Sequence, residues 1–139
     1  MYIDSKLKVS SAQAVTASAA STDVIDLAKA GDLGVSGLKM MINVDEAVTA
    51  SGAETVQFGI QCDNDSAFGS PKTVILSDTI GKADLVAGKQ IYLPIPVGMD
   101  ERYLRVYYTV ATGPLTVGKF TAAVVESEQA SKAYPANQV

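Results

Sequence analysis

The 139-residue chain is 47% hydrophobic and 19% charged, a composition that predicts one folded domain rather than a disordered segment. Its net charge of −4 leaves no basic surplus with which to bind nucleic acid. The sequence has no histidine, the usual general base and metal ligand, so we expect no enzyme activity and no cofactor. Its single cysteine cannot form an intramolecular disulfide, so we expect the stability of the protein not to depend on an oxidising compartment.

The N-terminal region predicts neither a secretion signal nor a membrane span. Met1–Ser10 lacks a basic segment followed by an apolar one, and no apolar run reaches the roughly 18 residues that a span requires. Ser10–Ser21 consists of Ser and Ala apart from Gln13, Val15 and Thr16, which is too little apolar surface to cover a core. We therefore predict an extended arm at this end of the chain.

The next segment, Thr22–Leu27, places Val24 and Ile25 between two aspartates. This pattern predicts a short strand, and one helical turn that ends at Gly31 is the alternative. An eight-stranded fold is reached only if both this segment and residues 10–16 pair with other strands.

Strand patterns dominate from about residue 38 onward, because apolar and polar residues alternate in short runs that end in turn-forming residues. The predicted strands are Lys39–Val44, Glu54–Cys62, Thr73–Leu76, Gln90–Ile95, Tyr103–Ala111 and Lys119–Val125. In the second of these, the inward-facing residues are Val56, Phe58, Ile60 and Cys62. In the fifth, they are Leu104, Val106, Tyr108 and Val110, and Arg105, Tyr107 and Thr109 face outward.

Many short strands without a long amphipathic helix predict an all-β fold, a jelly-roll-like antiparallel β-sandwich with an extended N-terminal arm and a C-terminal tail. Pro94 cannot donate a hydrogen bond to a neighbouring strand, so its strand is expected at a sheet edge. The single domain has its core at about residues 10–126, and residues 1–9 and 127–139 form the arm and the tail.

Several possible chemical sites have simpler structural interpretations. The cluster Asp63–Ser66 offers oxygens to a hard cation, but a turn closed by its own side chains is favoured. Cys62 lies in phase with the buried face and is expected to be a small core residue. Asp100 and Glu101 are neighbours on an extended chain, so their carboxylates are not expected to converge. The glycines at 31, 34 and 37 match no phosphate loop and are expected to allow tight turns. We therefore predict no catalytic, cofactor or metal site.

A protein interface is the remaining candidate site. Tyr107 and Arg105 face outward on the same side of one strand, and Tyr and Arg are enriched at interfaces. Tyr134 lies in the unpatterned C-terminal tail. These three residues are the predicted interface residues.

A family resemblance is carried by four segments, namely Ser11–Thr16, Ala19–Leu27, Asp65–Phe68 and Glu101–Val110. Across most of its length the chain resembles the cement, or decoration, proteins of tailed-phage capsids, of the jelly-roll type. The resemblance implies a non-enzymatic virion protein, made in the host cytoplasm, that binds the capsid exterior and bridges major capsid subunits. It also implies self-association, with a homodimer favoured and a trimer as the alternative, and neither nucleic acid nor membrane as a partner.

Two other classes of protein compete with this interpretation. A carbohydrate-binding β-sandwich of a phage tail or fibre fits the fold, although the sequence has no tryptophan with which to stack on sugars. A small hydrolase is disfavoured by the absence of histidine, and no carboxylate pair suits a glycosidase.

Overall fold

The computed structural model describes residues 3–128 of the chain. The strands of this part are β1 (Lys8–Ala14), β2 (Ala19–Ala20), β3 (Ile25–Asp26), β4 (Lys39–Thr49), β5 (Thr55–Asp63), β6 (Lys72–Leu76), β7 (Ile80–Gly81), β8 (Gln90–Pro94), β9 (Tyr103–Ala111) and β10 (Val117–Val125). Short 3₁₀ helices cover Ser5–Leu7, Leu33–Ser36 and Lys82–Asp84. Among the helices in this part of the chain, none is long and apolar enough to cross a membrane.

The strands form two antiparallel sheets that pack face to face. The smaller sheet has the order β1-β10-β4-β8, and the larger has the order β2-β9-β5-β6, with β3 also on β9 and β7 also on β5. Because β2 and β3 share one edge of β9, and β6 and β7 share one edge of β5, the strands fill four positions in each sheet. This arrangement is a jelly roll, and it confirms the predicted all-β antiparallel sandwich.

The N-terminal segment is the main difference from the sequence prediction. Residues 8–14 are not an extended arm, because they form edge strand β1 and pair with β10. Val9 and Val15 are 0% and 1% exposed, and these two side chains anchor a segment of otherwise small residues to the core. Register shifts interrupt the pairing, and Ala12 has a φ of 46°, so the strand lacks the regular alternation that would reveal it in sequence.

The other strand predictions are largely confirmed. The predicted short strand at residues 22–27 is present as β3, so the helical alternative is wrong. β4 continues beyond the predicted Val44 to Thr49, and β10 begins at Val117 rather than at Lys119. Pro94 lies in β8 at the edge of the smaller sheet, as predicted. Most of the predicted tail lies outside the described residues.

An aromatic cluster forms the centre of the core between the two sheets. Phe58 of β5 packs edge-on against Tyr108 of β9 and Phe120 of β10, with ring centroids 5.8 and 5.4 Å apart. Tyr108 and Phe120 stack at 5.3 Å, and all three side chains are 0% exposed. Because the cluster joins strands of both sheets, it fixes the position of one sheet on the other.

Candidate interaction surface

The outward side of the larger sheet contains two of the three predicted interface residues. Strands β5 and β9 pair so that Gln61 lies opposite Arg105 and Gly59 lies opposite Tyr107. Arg105 and Tyr107 are both half-buried, between inward residues that are fully buried. The predicted phase of β9 is therefore confirmed. Tyr134 lies outside the described residues.

Arg105 is held in place rather than free in solvent. Its guanidinium lies 4.0 Å from the centroid of the Phe68 ring and 5.9 Å from that of Tyr107. Its Nε donates a hydrogen bond of 2.9 Å to Oε1 of Gln61. Partial burial lowers the pKa of the Arg105 guanidinium from its usual value, although an arginine in a protein stays protonated. The side chain therefore offers a positive charge of fixed orientation, which loses little conformational entropy on binding.

A shallow hollow of about 260 Å³ lies beside this arginine, and Gly59 forms part of its lining. The other lining residues are neutral: Gln57, Gln61, Thr73, Leu76, Tyr107 and Thr109. Gln57 is fixed by a hydrogen bond of 2.9 Å from its Nε2 to the carbonyl oxygen of Ser77. We call Arg105 and this hollow together the outer face. The hollow is preformed and neutral, with hydrogen-bonding groups in its lining, and Arg105 supplies a positive charge beside it.

Phe68, whose ring contacts Arg105, is a residue that the sequence prediction missed. It comes from the loop after β5, has a φ of 52° and is only 6% exposed. A single aromatic residue in a run of Asp, Ser and Gly is the only sequence signal for it. Strand phase could not have placed it beside Arg105, because a loop residue has no periodicity.

The loop after β5 is organised by Asp63, as the turn interpretation predicted. The Asp63 carboxylate accepts hydrogen bonds of 3.0 Å from the backbone N–H groups of Asp65 and Ser70. These bonds lower the pKa of the Asp63 carboxyl. Within residues 3–128, no group of three or more Cys, Asp or Glu side chains is arranged to hold a metal ion.

The charged residues before β9 brace the loops at one end of the sandwich. Arg102 donates two hydrogen bonds, of 2.7 and 2.8 Å, to the carboxylate of Asp26, which holds the pKa of that carboxyl down at about 2. Glu101 forms an ion pair with Lys72, and Asp100 approaches the same ammonium group at 3.7 Å. Both residues lie in a loop rather than on an extended strand, and their carboxylates share one lysine.

The two acids differ sharply in their surroundings. The Glu101 side chain is 5% exposed, and the Asp100 side chain is 80% exposed. Since a lysine lies between them, the geometry is that of a structural ion pair rather than of an acid–base pair.

Of the remaining single-residue interpretations, those for Cys62 and Gly37 agree with the structure, whereas Gly31 and Gly34 do not have a positive φ. Cys62 is 1% exposed within the core, and burial raises the pKa of its thiol, so it is a packing residue. Gly37 ends a 3₁₀ helix with a φ of 71°, as expected for a tight turn. Gly34 has another role, because a Cβ there would lie 2.1 Å from the carbonyl oxygen of Pro96. It permits two loops to touch.

The fold and this surface define a jelly-roll β-sandwich with a preformed, largely neutral outer face. A family model, Bbp16, matches residues 9–124, which extend from the second residue of β1 to the last but one of β10. The chain therefore belongs to the Bbp16 family, which is phage-associated. Comparison with curated proteins gives no significant match.

Proposed function

We propose that this protein is a non-enzymatic structural protein of the virion, which binds the outer surface of a phage capsid and bridges and stabilises major capsid subunits. The observation that carries the proposal is the match to a phage-associated family over both sheets of the sandwich. The proposal places the protein on the capsid exterior after its synthesis in the host cytoplasm. It includes no catalysis and no cofactor.

The structure supports a bridging role through its stiffness. The aromatic cluster ties the two sheets together, and charged side chains brace the loops at one end. A rigid body that contacts two capsid subunits resists their separation, whereas a flexible one would stretch. Many copies on one shell act together, because a seam opens only when several bridges break.

We assign the outer face to self-association. Arg105 and Tyr107 are fixed by their neighbours, and a surface of this kind suits a twofold contact between identical sheets. A homodimer is our first choice and a trimer the second. Tyr134, in the C-terminal segment, is proposed as a capsid contact.

The neutral hollow of the outer face supports one alternative function. Its amide and hydroxyl groups are the kind that hydrogen-bond to sugars, and the Tyr107 ring offers a stacking surface. This arrangement favours a carbohydrate-binding module of a phage tail or fibre as the second candidate.

The decisive experiment is co-sedimentation of the purified protein with phage heads that lack it, with a glycan array run in parallel. We expect saturable binding to heads, a measured mass of two or more chains, and no glycan signal. Heads that lose DNA at a lower temperature without the protein would show that it stabilises the shell. Glycan binding without head binding would support the alternative and contradict the capsid role.

A further inference from the structure

One end of the sandwich displays the two most exposed large apolar side chains of the described residues. We call it the loop end, and it consists of the connections 27–38, 64–71 and 95–102. Val35 in the first connection and Val97 in the third are each 72% exposed. Two such side chains at one place form an exposed apolar patch, and apolar patches of this kind mark surfaces that another molecule covers.

The two valines lie on loops that touch. The backbone of Gly34 is so close to Pro96 that a side chain at position 34 would meet the Pro96 carbonyl oxygen at 2.1 Å. Asp32 holds both loops, because its Oδ1 accepts a hydrogen bond of 2.9 Å from the Gly34 N–H and its Oδ2 accepts one of 2.7 Å from the Gly98 N–H. The two valines therefore form one apolar tip of the molecule.

The tip is rigid because its loops are anchored beneath it. Met99 and Ile95 are 3% and 4% exposed, so both sides of the third connection are packed into the core. The pair of Arg102 with Asp26 ties the same connection to the end of β3. Because these loops are already ordered, binding through the tip costs little loss of conformational entropy.

The charges beside the tip indicate the chemistry of its partner. A hollow of about 320 Å³ next to Val97 is lined in part by Asp32 and Asp100, and the Asp100 side chain is 80% exposed, with the Lys72 ammonium group at 3.7 Å. An exposed apolar tip with acidic residues beside it is complementary to an apolar recess that is edged by Lys or Arg. β10 also ends at this end of the sandwich, since Val125 pairs with Lys39.

We propose that Val35 and Val97 form the tip by which this protein docks into an apolar, basic-edged recess on the outer surface of the capsid shell. The assignment rests on the proposed function, and it names the surface that meets the shell. The outer face around Tyr107 contains neither of the two valines, so it remains available for self-association.

The test compares Val35→Ser/Val97→Ser with a matched control, Val86→Ser. Val86 is 55% exposed and lies at the other end of β4, where Leu85 accepts a hydrogen bond from Val48. We expect the double variant to bind undecorated heads at least about tenfold more weakly, because two apolar side chains lose their burial. The control should bind like the unaltered protein, and both variants should unfold within about 2 °C of it. Asp100→Lys should also weaken binding.

The outcomes separate this inference from the proposed function. If the unaltered protein binds heads and the double variant binds equally well, the tip is not the docking surface, although the capsid role stands. If the double variant loses its self-association instead, the tip is a contact between copies, and the assignment to the shell is wrong. If the unaltered protein does not bind heads, the proposed function and this inference are both wrong.

Discussion

Tyr108→Phe tests whether the N-terminal strand is an integral part of the core. The Tyr108 hydroxyl donates a hydrogen bond of 2.8 Å to Oγ of Ser10, which donates one of 2.8 Å to Oε1 of Gln13. Tyr108 and Ser10 are both 0% exposed, so water cannot replace a lost partner. The substitution keeps the ring and removes only the hydroxyl.

We expect the free energy of unfolding to fall by about 1–2 kcal/mol, because the Ser10 oxygen loses the donor that satisfies it in a buried place. For a domain of this size, that loss corresponds to a fall of roughly 3–8 °C in the melting temperature. The stacking of Tyr108 on Phe120 should survive, since phenylalanine has the same ring. Burial raises the pKa of the Tyr108 hydroxyl well above its ordinary value, so the effect should not change between neutral and mildly basic pH.

The assay is urea unfolding followed by circular dichroism, with Tyr107→Phe as the control. Tyr107 is the preceding residue in the chain and is half-buried on the outer face, so its replacement should change the free energy of unfolding by no more than about 0.5 kcal/mol. A double-mutant cycle with Ser10→Ala should give a coupling of about 0.5–1.5 kcal/mol. The reasoning fails if Tyr108→Phe lowers the free energy of unfolding by less than about 0.3 kcal/mol. It also fails if the effects of Tyr108→Phe and Ser10→Ala are additive, because β1 then does not depend on this hydrogen bond.

Three further predictions concern a glycine, a carboxylate and a thiol. Gly34→Ala should destabilise the fold by about 1–3 kcal/mol in thermal unfolding, because a Cβ there meets a backbone carbonyl oxygen at 2.1 Å; Gly81→Ala, with nothing within 4 Å, should be nearly neutral. The folded-state pKa of Asp26, about 2, lies below its usual value of 3.8. The Asp26 carboxylate should therefore stabilise the fold fully above about pH 4, and this stabilisation should be lost as the pH falls towards 2. Asp26→Asn should remove this part of the pH dependence of the free energy of unfolding. Cys62, buried with a raised pKa, should react with a thiol reagent only after denaturant unfolds the chain.

The regular strands could be predicted because alternating apolar and polar residues indicate which side chains are buried. In β5, Val56, Phe58 and Ile60 are all 0% exposed, as the period of two required. β1 escaped prediction because its burial depends on Val9 and Val15, which lie six positions apart with a backbone irregularity between them. Besides its pairing with β10, the strand is held by side-chain hydrogen bonds such as that from Ser10 to Gln13, and composition does not reveal such bonds.

For the interface residues, too, the features set by the local strand pattern could be predicted, and the contacts between distant parts of the chain could not. The outward direction of Arg105 and Tyr107 follows from strand phase alone. The contact of Arg105 with Phe68 depends on where a loop returns, and the clamp by Asp32 on Gly98 joins residues 66 positions apart. A single sequence carries no signal for contacts of that kind, because they depend on how the two sheets stack.

The separation of the two proposed surfaces has a geometric consequence for bridging. The outer face lies on the side of the larger sheet, and the loop end lies where its strands begin and finish. A copy that pairs with a second copy through the outer face keeps its own tip free, so a dimer presents two tips joined by rigid sandwiches. Two tips seated on neighbouring capsid subunits make the second contact intramolecular, which raises its effective concentration. Each single contact can then be weak and still produce a strong bridge. This arrangement works only if the loops are stiff, and the clamp by Asp32 and the Arg102–Asp26 pair supply that stiffness.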